Sequence, residues 1–151
     1  MSDSGESPAR QAQALAERAA AALYATDRAS QSHGIRIVEV RPGQARLSMI
    51  VRPDMVNGHR ICHGGMVFTL ADSAFAFACN SHNDNTVAAG ATIDFLAPAH
   101  EGDELSAVAL EVWRSRRNGI YEITVTNQKG TRIALFRGRS HRIEGHVVAL
   151  D

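Results

Sequence analysis

Apolar residues recur at helical spacing along the stretch that follows Gly64-Gly65, which contains no Pro and no further Gly. At about 100° per residue, Val67, Leu70, Ala71, Ala74, Phe75, Phe77 and Ala78 spread over about half a helix circumference. Thr69, Asp72, Ser73, Ala76 and Asn80 collect on the remaining face. An apolar arc this wide predicts a helix held in the palm of a sheet, not one lying on a surface. Upstream, residues 10–24 are rich in Ala with Gln, Glu and Arg, a helix by propensity. Its loose apolar stripe fits packing on the outside of the sheet or against a neighbour. Asp27 can cap a further short turn that ends before His33-Gly34.

Six segments read as strands: 35–41, 45–51, 86–96, 105–113, 120–126 and 133–143. Pro42-Gly43, residues 83–85, residues 101–103 and Lys129-Gly130 supply turns, and Asn118-Gly119 is a two-residue hairpin signal. Gly90 inside its strand marks a bulge or a close approach. One central helix with strands joined by hairpins and tight turns gives an α+β fold with an antiparallel sheet.

Composition narrows the picture. The 151 residues suit one domain, expected to span 9–151 behind a small, polar, disordered segment at 1–8. Sixteen basic and sixteen acidic residues cancel, which gives no reason to invoke nucleic acid. Two cysteines, Cys62 and Cys79, make no disulfide framework and fit a reducing compartment. With no leader and no apolar run long enough for a bilayer, the expected location is the cytoplasm, with no membrane partner.

Candidate chemistry gathers at the central helix. Gly64-Gly65 at its mouth leaves bare N–H groups that no helical carbonyl satisfies, and the macrodipole favours negative charge there. Asp72 is the only charged residue between Arg60 and Asp84. Eight residues separate Gly64 from Asp72, about 12 Å along a helix axis, so one copy cannot bring the two together. Two antiparallel copies can, across a twofold axis, and the small residues Ser73 and Ala76 would let them approach.

The run N-G-H-x-x-C-H-G-G-M-x-F-x-L-A-D-x-A-F-A-x-A-C-N-S over 57–81 closely resembles the PaaI-type acyl-CoA thioesterases of phenylacetate degradation. The likeness extends to T-I-D-F-L-A-P-A (92–99), E-G-D-x-L (101–105), Y-E-I-T-V-T-N-Q-x-G (121–130) and A-L-F-R-G-R-S (134–140). It implies a hotdog fold, in which a curled antiparallel sheet wraps one long helix and the chain forms at least a homodimer. A dimer-of-dimers homotetramer is implied by the family alone. The implied reaction is hydrolysis of aryl-acetyl-CoA to free acid and CoA, with water as second substrate and no metal or organic cofactor. Asp72 would be general base or nucleophile, and the N–H of Gly64, with Gly65 beside it, would polarise the carbonyl. Asn57 and His63 match positions that line the reacting end. Val56, Met66 and Phe68 are expected at the acyl group, with Thr69 and Ser73 on the same helix. Of the arginines at 114, 116, 117, 137 and 139, Arg116 and Arg137 are the chosen phosphate contacts, and the pantetheine arm is expected to pass Gly138.

Other readings compete. Asp72 can be a satisfied structural carboxylate. A Cys62 nucleophile is disfavoured because adjacent residues such as Cys62 and His63 rarely face each other. A metal site from His59, Cys62 and His63 lacks a second ligand cluster. H-G-G also opens the oxyanion loop of lipases, but the chain contains no G-x-S-x-G. A dehydratase would want a His on the helix, where Asp72 stands instead. A medium-chain acyl-CoA thioesterase and a non-catalytic acyl-CoA binder remain as alternatives.

Overall fold

The structure is a computed structural model that describes residues 5–150. Ser7 caps helix α1 (Pro8–Thr26), accepting a hydrogen bond from the Arg10 N–H at 3.3 Å, with Pro8 in the first helical position. The expected disordered segment therefore overlaps the helix start at Pro8, and its first four residues lie outside the described ones. Asp27 caps α2 (Arg28–Ser32). Strands β1 (Arg36–Arg41) and β2 (Gln44–Ile50) form the first hairpin. A 3-10 turn at Pro53–Met55 leads to the central helix α3 (Gly64–Cys79). Strands β3 (Asp84–Phe95), β4 (Glu104–Arg114), β5 (Asn118–Thr126) and β6 (Arg132–His146) follow.

All six strands join one antiparallel sheet in the order β1-β2-β4-β5-β6-β3, and α3 touches every one of them. This is the hotdog arrangement. Inward-facing Leu47, Met49, Leu105, Ile123, Val125 and Phe136 alternate along their strands with exposed or half-exposed residues, and close on Val67, Leu70, Ala74 and Phe75 of α3. Each large side chain buried this way contributes on the order of 1.5–3 kcal/mol. The sheet curls around α3, whose apolar arc is buried as its periodicity predicts.

The two sheet edges differ. α1 lies against β1, where the Gln13 side-chain amide donates to the Val40 carbonyl at 2.8 Å and the Tyr24 hydroxyl donates to the Ile35 carbonyl at 2.7 Å. Strand β3 has no neighbouring strand on its outer side among the described residues, and much of its length is exposed on both faces. It contains neither Pro nor Lys, the residues that commonly blunt such an edge. Its pairing with β6 shifts register between Ala88 and Gly90, the bulge expected at Gly90.

Two sequence expectations are corrected here. Asn118-Gly119 is not the hairpin turn. Residues 115–117 turn the chain, closed by the Ser115 N–H on the Asn118 carbonyl at 2.8 Å, and Arg114 pairs with Gly119 inside the ladder. A side chain at position 119 would lie 2.7 Å from the Tyr121 ring and 2.8 Å from Ser140 Oγ, so packing requires this glycine. Gly138 likewise faces the core, where a Cβ would lie 2.8 Å from the Phe75 ring, and no pantetheine arm can run over that face. Gly138→Ala is expected to cost about 1–3 kcal/mol by overpacking, read as a lower midpoint in chemical denaturation. No loss of stability would mean that the Phe75 ring can give way.

Candidate active site

The residue before α3 satisfies most of the helix's first donors. His63 Nδ1 accepts from the Gly65 N–H at 2.9 Å, and the His63 carbonyl accepts from Met66 N–H at 2.9 Å and Val67 N–H at 3.3 Å. Of the first four N–H groups, only that of Gly64 has no partner among the described residues. Gly65 is therefore not a second polarising donor. Because Nδ1 accepts, the neutral ring carries its proton on Nε2, and His63 holds the first turn in shape.

The loop that presents this turn is pinned from several sides. His63 N–H donates to the Met55 carbonyl and Cys62 N–H to the Ala99 carbonyl, both at 2.7 Å. Asn57 Oδ1 accepts from His59 N–H at 2.9 Å and Ile61 N–H at 3.3 Å, in a loop where Arg60 sits at φ 62°. The Asn57 side-chain oxygen is thus occupied, and its NH₂ group remains available to orient an acceptor. Cys62 is buried, and burial pushes its thiol up to about 11, with Asp103 adding to the rise. That removes the thiolate a cysteine nucleophile needs.

Gly64 and Asn57 open on a cleft of about 550 Å³ whose remaining wall is apolar, chiefly Val67, Phe95, Leu96 and Ile133. A Cβ on Gly64 would meet the Phe95 ring at 3.0 Å. Phe95 and Leu96 are 55% and 51% exposed. They were missed in the sequence, although two large apolar residues at a strand end before Pro98 were the available signal. Val56, Met66 and Phe68 do not line this cleft. They pack against the core, Phe68 edge-on to Phe136 at 5.2 Å.

Asp72 lies in a different cleft, of about 360 Å³, together with Leu23, Asp27, Phe75, Ala76 and Val87. No group among the described residues donates a hydrogen bond to it, so nothing within this chain satisfies it. Burial raises its pKa above the ordinary carboxylate value, and the negative charge of Asp27 raises it further. Within one chain, the donor at Gly64 and the carboxylate at Asp72 do not meet.

Asp27 is held where it can act on Asp72. Its carboxylate accepts from Ser30 N–H at 2.9 Å and from Ser30 Oγ at 2.6 Å. Ser30 Oγ lies 3.0 Å from Ser73 Oγ, and with the Ser30 proton on Asp27 it is Ser73 that donates. This chain ties α2 to the residue beside Asp72. It also corrects the expectation for Ser73, which is 9% exposed and faces inward, not toward a ligand or a second helix.

The remaining candidates lie apart. Thr69 Oγ1 donates to the Gly65 carbonyl at 2.8 Å, within the helix. Arg137 pairs with Glu122 at 2.9 Å on the sheet's outer face. Arg116 stands beyond the C-terminal end of α3, among other arginines.

A family model described as Thioesterase superfamily matches residues 59–134. The acyl-coenzyme A thioesterase PaaI of Escherichia coli (strain K12) is 45% identical over 126 residues, 83% of this chain and 90% of that protein. The solved structure of the E. coli PaaI protein from the phenylacetic acid degradation operon gives a TM-score of 0.88, covering 89% of this chain and 97% of that one at 44% identity. A mutant of phenylacetic acid degradation protein PaaI from Thermus thermophilus gives 0.73, covering 76% and 97% at 35% identity.

Proposed function

The chain belongs to the thioesterase superfamily, and from that premise we propose that it hydrolyses acyl-CoA esters of the aryl-acetyl type to free acid and CoA. The observation that carries this reading is a pair of groups on α3 unmatched among the described residues: the Gly64 N–H, and at Asp72 a half-buried carboxylate without a donor. Acyl transfer from a thioester needs a donor for the developing oxyanion and a base or nucleophile. A twofold pair of chains brings Gly64 of one copy to Asp72 of the other. The bare edge of β3 is the surface that supports such pairing, two β3 strands extending one sheet. Two dimers would then associate into a tetramer, in the cytoplasm.

As base, Asp72 takes a proton from water while the water oxygen attacks the carbonyl carbon. The oxyanion is held by the Gly64 N–H, and the Asn57 amide orients the carbonyl or the water. Collapse breaks the C–S bond, and the sulfur leaves with the proton returned from Asp72. As nucleophile, Asp72 would add to the carbonyl carbon and expel the CoA thiolate as the C–S bond breaks; water then opens the resulting anhydride to the free acid and the Asp72 carboxylate, and its released proton neutralises the thiolate. The apolar wall of Phe95, Leu96, Val67 and Ile133 suits an aryl or alkyl acyl group. Thiol release from a panel of acyl-CoA esters tests the reading. Preference for phenylacetyl-type over straight-chain esters bears it out, preference for straight chains moves the substrate to medium-chain acyl groups, and binding without turnover leaves a non-catalytic binder.

Asp27 gives a pH signature. Its charge raises the pKa of Asp72, so Asp27→Asn removes one of the two causes and lets that pKa fall. The acid limb of the kcat/KM profile should move to lower pH. Cys79, the other titratable group in this cleft, is pushed up to about 12 by burial and stays neutral. A limb that does not move would show that Asp27 leaves the base untouched.

A further inference from the structure

The cleft beside Gly64 has spent nearly all of its hydrogen-bonding capacity on itself. Among the described residues that line it, only Asn57 and Cys62 carry polar side chains, and none is charged. The Cys62 thiol turns to the His63 carbonyl at 3.7 Å. Asn57 Oδ1 already accepts two N–H groups, which leaves its NH₂ for the reacting carbonyl or water at the mouth. The backbone is closed as well. Cys62 N–H donates to the Ala99 carbonyl, and Asn57 N–H to the Ile61 carbonyl at 2.9 Å. The N–H groups of Leu96 and Ala97 both donate to the Ile133 carbonyl, at 2.8 and 3.4 Å, which fills both of its lone pairs. Pro98, next in the wall, has no N–H.

What remains to face an acyl group is hydrocarbon. Val67 and Ile133, buried in the core, form the floor, and the half-exposed Phe95 and Leu96 form the flank. The Phe95 ring borders the space next to the Gly64 donor, where an added Cβ would meet it at 3.0 Å. A ring seated on this floor gains from burial as long as it carries no polar group. A hydroxyl taken into the cleft gives up water and finds neither a donor nor an acceptor to replace it. We propose that this cleft makes the enzyme selective for acyl groups bare of polar substituents, so that ring-hydroxylated aryl-acetyl esters are discriminated against. This rests on the thioesterase reading and narrows it to the unsubstituted aryl ester. The selectivity has a natural ceiling. A hydrophobic wall rejects an added hydroxyl by about 100-fold at most, less than a site built to hydrogen-bond one rejects the analogue that lacks it.

The test measures kcat/KM by thiol release on phenylacetyl-CoA and 4-hydroxyphenylacetyl-CoA, for wild type and for Leu96→Gln. Wild type should prefer the unsubstituted ester by about 10–100-fold. Leu96 is half-exposed, so its position tolerates a polar side chain, and the glutamine amide brings a donor and an acceptor to the wall. The preference should then shrink severalfold. Equal or faster turnover of the hydroxylated ester by wild type overturns the proposal, and so does a preference that Leu96→Gln leaves intact. Calorimetric titration with two uncleavable thioethers, S-(2-phenylethyl)-CoA and its 4-hydroxyphenyl counterpart, judges the cleft without turnover. Tighter binding of the first supports the proposal even if neither ester is hydrolysed, an outcome that would sink the thioesterase reading alone. Equal affinity for the two, or binding of neither, overturns it.

Discussion

Asp72→Asn is expected to lower kcat by about 10³-fold and, at the same time, to raise the melting temperature at pH 7. The two effects have one cause. Burial, and secondarily the charge of Asp27, raise the pKa of Asp72 in the folded chain. The folded state therefore holds that proton more tightly than the unfolded chain does. Stability falls as pH rises from the ordinary carboxylate value through the raised one, and at pH 7 the ionised side chain destabilises the fold. A neutral amide of the same shape removes that penalty. Below the ordinary carboxylate value Asp72 is protonated in both states, so the gain should shrink there. Thiol-release kinetics and thermal melts at pH 7 and at acid pH check both halves. A variant that lost stability at pH 7 would return Asp72 to the role of a structural carboxylate.

Gly64→Pro should lower kcat by about 10²–10³-fold, the loss typical of one oxyanion donor, while Gly64→Ala should keep most of the activity. Both substitutions put a Cβ against Phe95, whose exposed ring can shift. Only proline deletes the N–H. The helix tolerates it, because proline is favoured in the first helical position and His63 already has the extended ψ of 133° that a residue before proline needs. Comparison of the two isolates the donor from the space. Mixing Gly64→Pro chains with Asp72→Ala chains then tests the shared site. Neither homodimer turns over, but each heterodimer assembles one intact Gly64–Asp72 pair, so random mixing should recover about a quarter of wild-type activity. Mixed chains with no recovery would overturn the shared site.

Much of this molecule was legible in the sequence because its signals are periodic. The wide apolar arc of α3 foretold enclosure, alternation and the turns between them marked the six strands, and Gly90 foretold its bulge. Gly64 and Asp72 stood out as the bare helix mouth and the lone charge. What escaped notice depends on contacts between distant positions. Ser73 falls on the polar side of a helical wheel, yet a hydroxyl 43 residues earlier draws it inward. Gly65 looks equivalent to Gly64 until the His63 ring accepts its N–H. Asn118-Gly119 has the composition of a turn, but Tyr121 and Ser140 require that glycine inside the sheet. The apolar wall beside Gly64 is expected near the motif, whereas Phe95 and Ile133 in that wall come from β3 and β6.

The hydrogen-bond chain from Asp27 through Ser30 to Ser73 implies a division of labour within the polypeptide. The sheet and α3 fix where Gly64 and Asp72 stand, and the segment containing Asp27, outside the stretch matched by the family model, influences how basic the Asp72 carboxylate is. Position and basicity can therefore change independently. A substitution in the α1–α2 junction can retune the working pH of the site without disturbing a strand, which gives evolution, or an engineer, a control that lies off the catalytic motif itself.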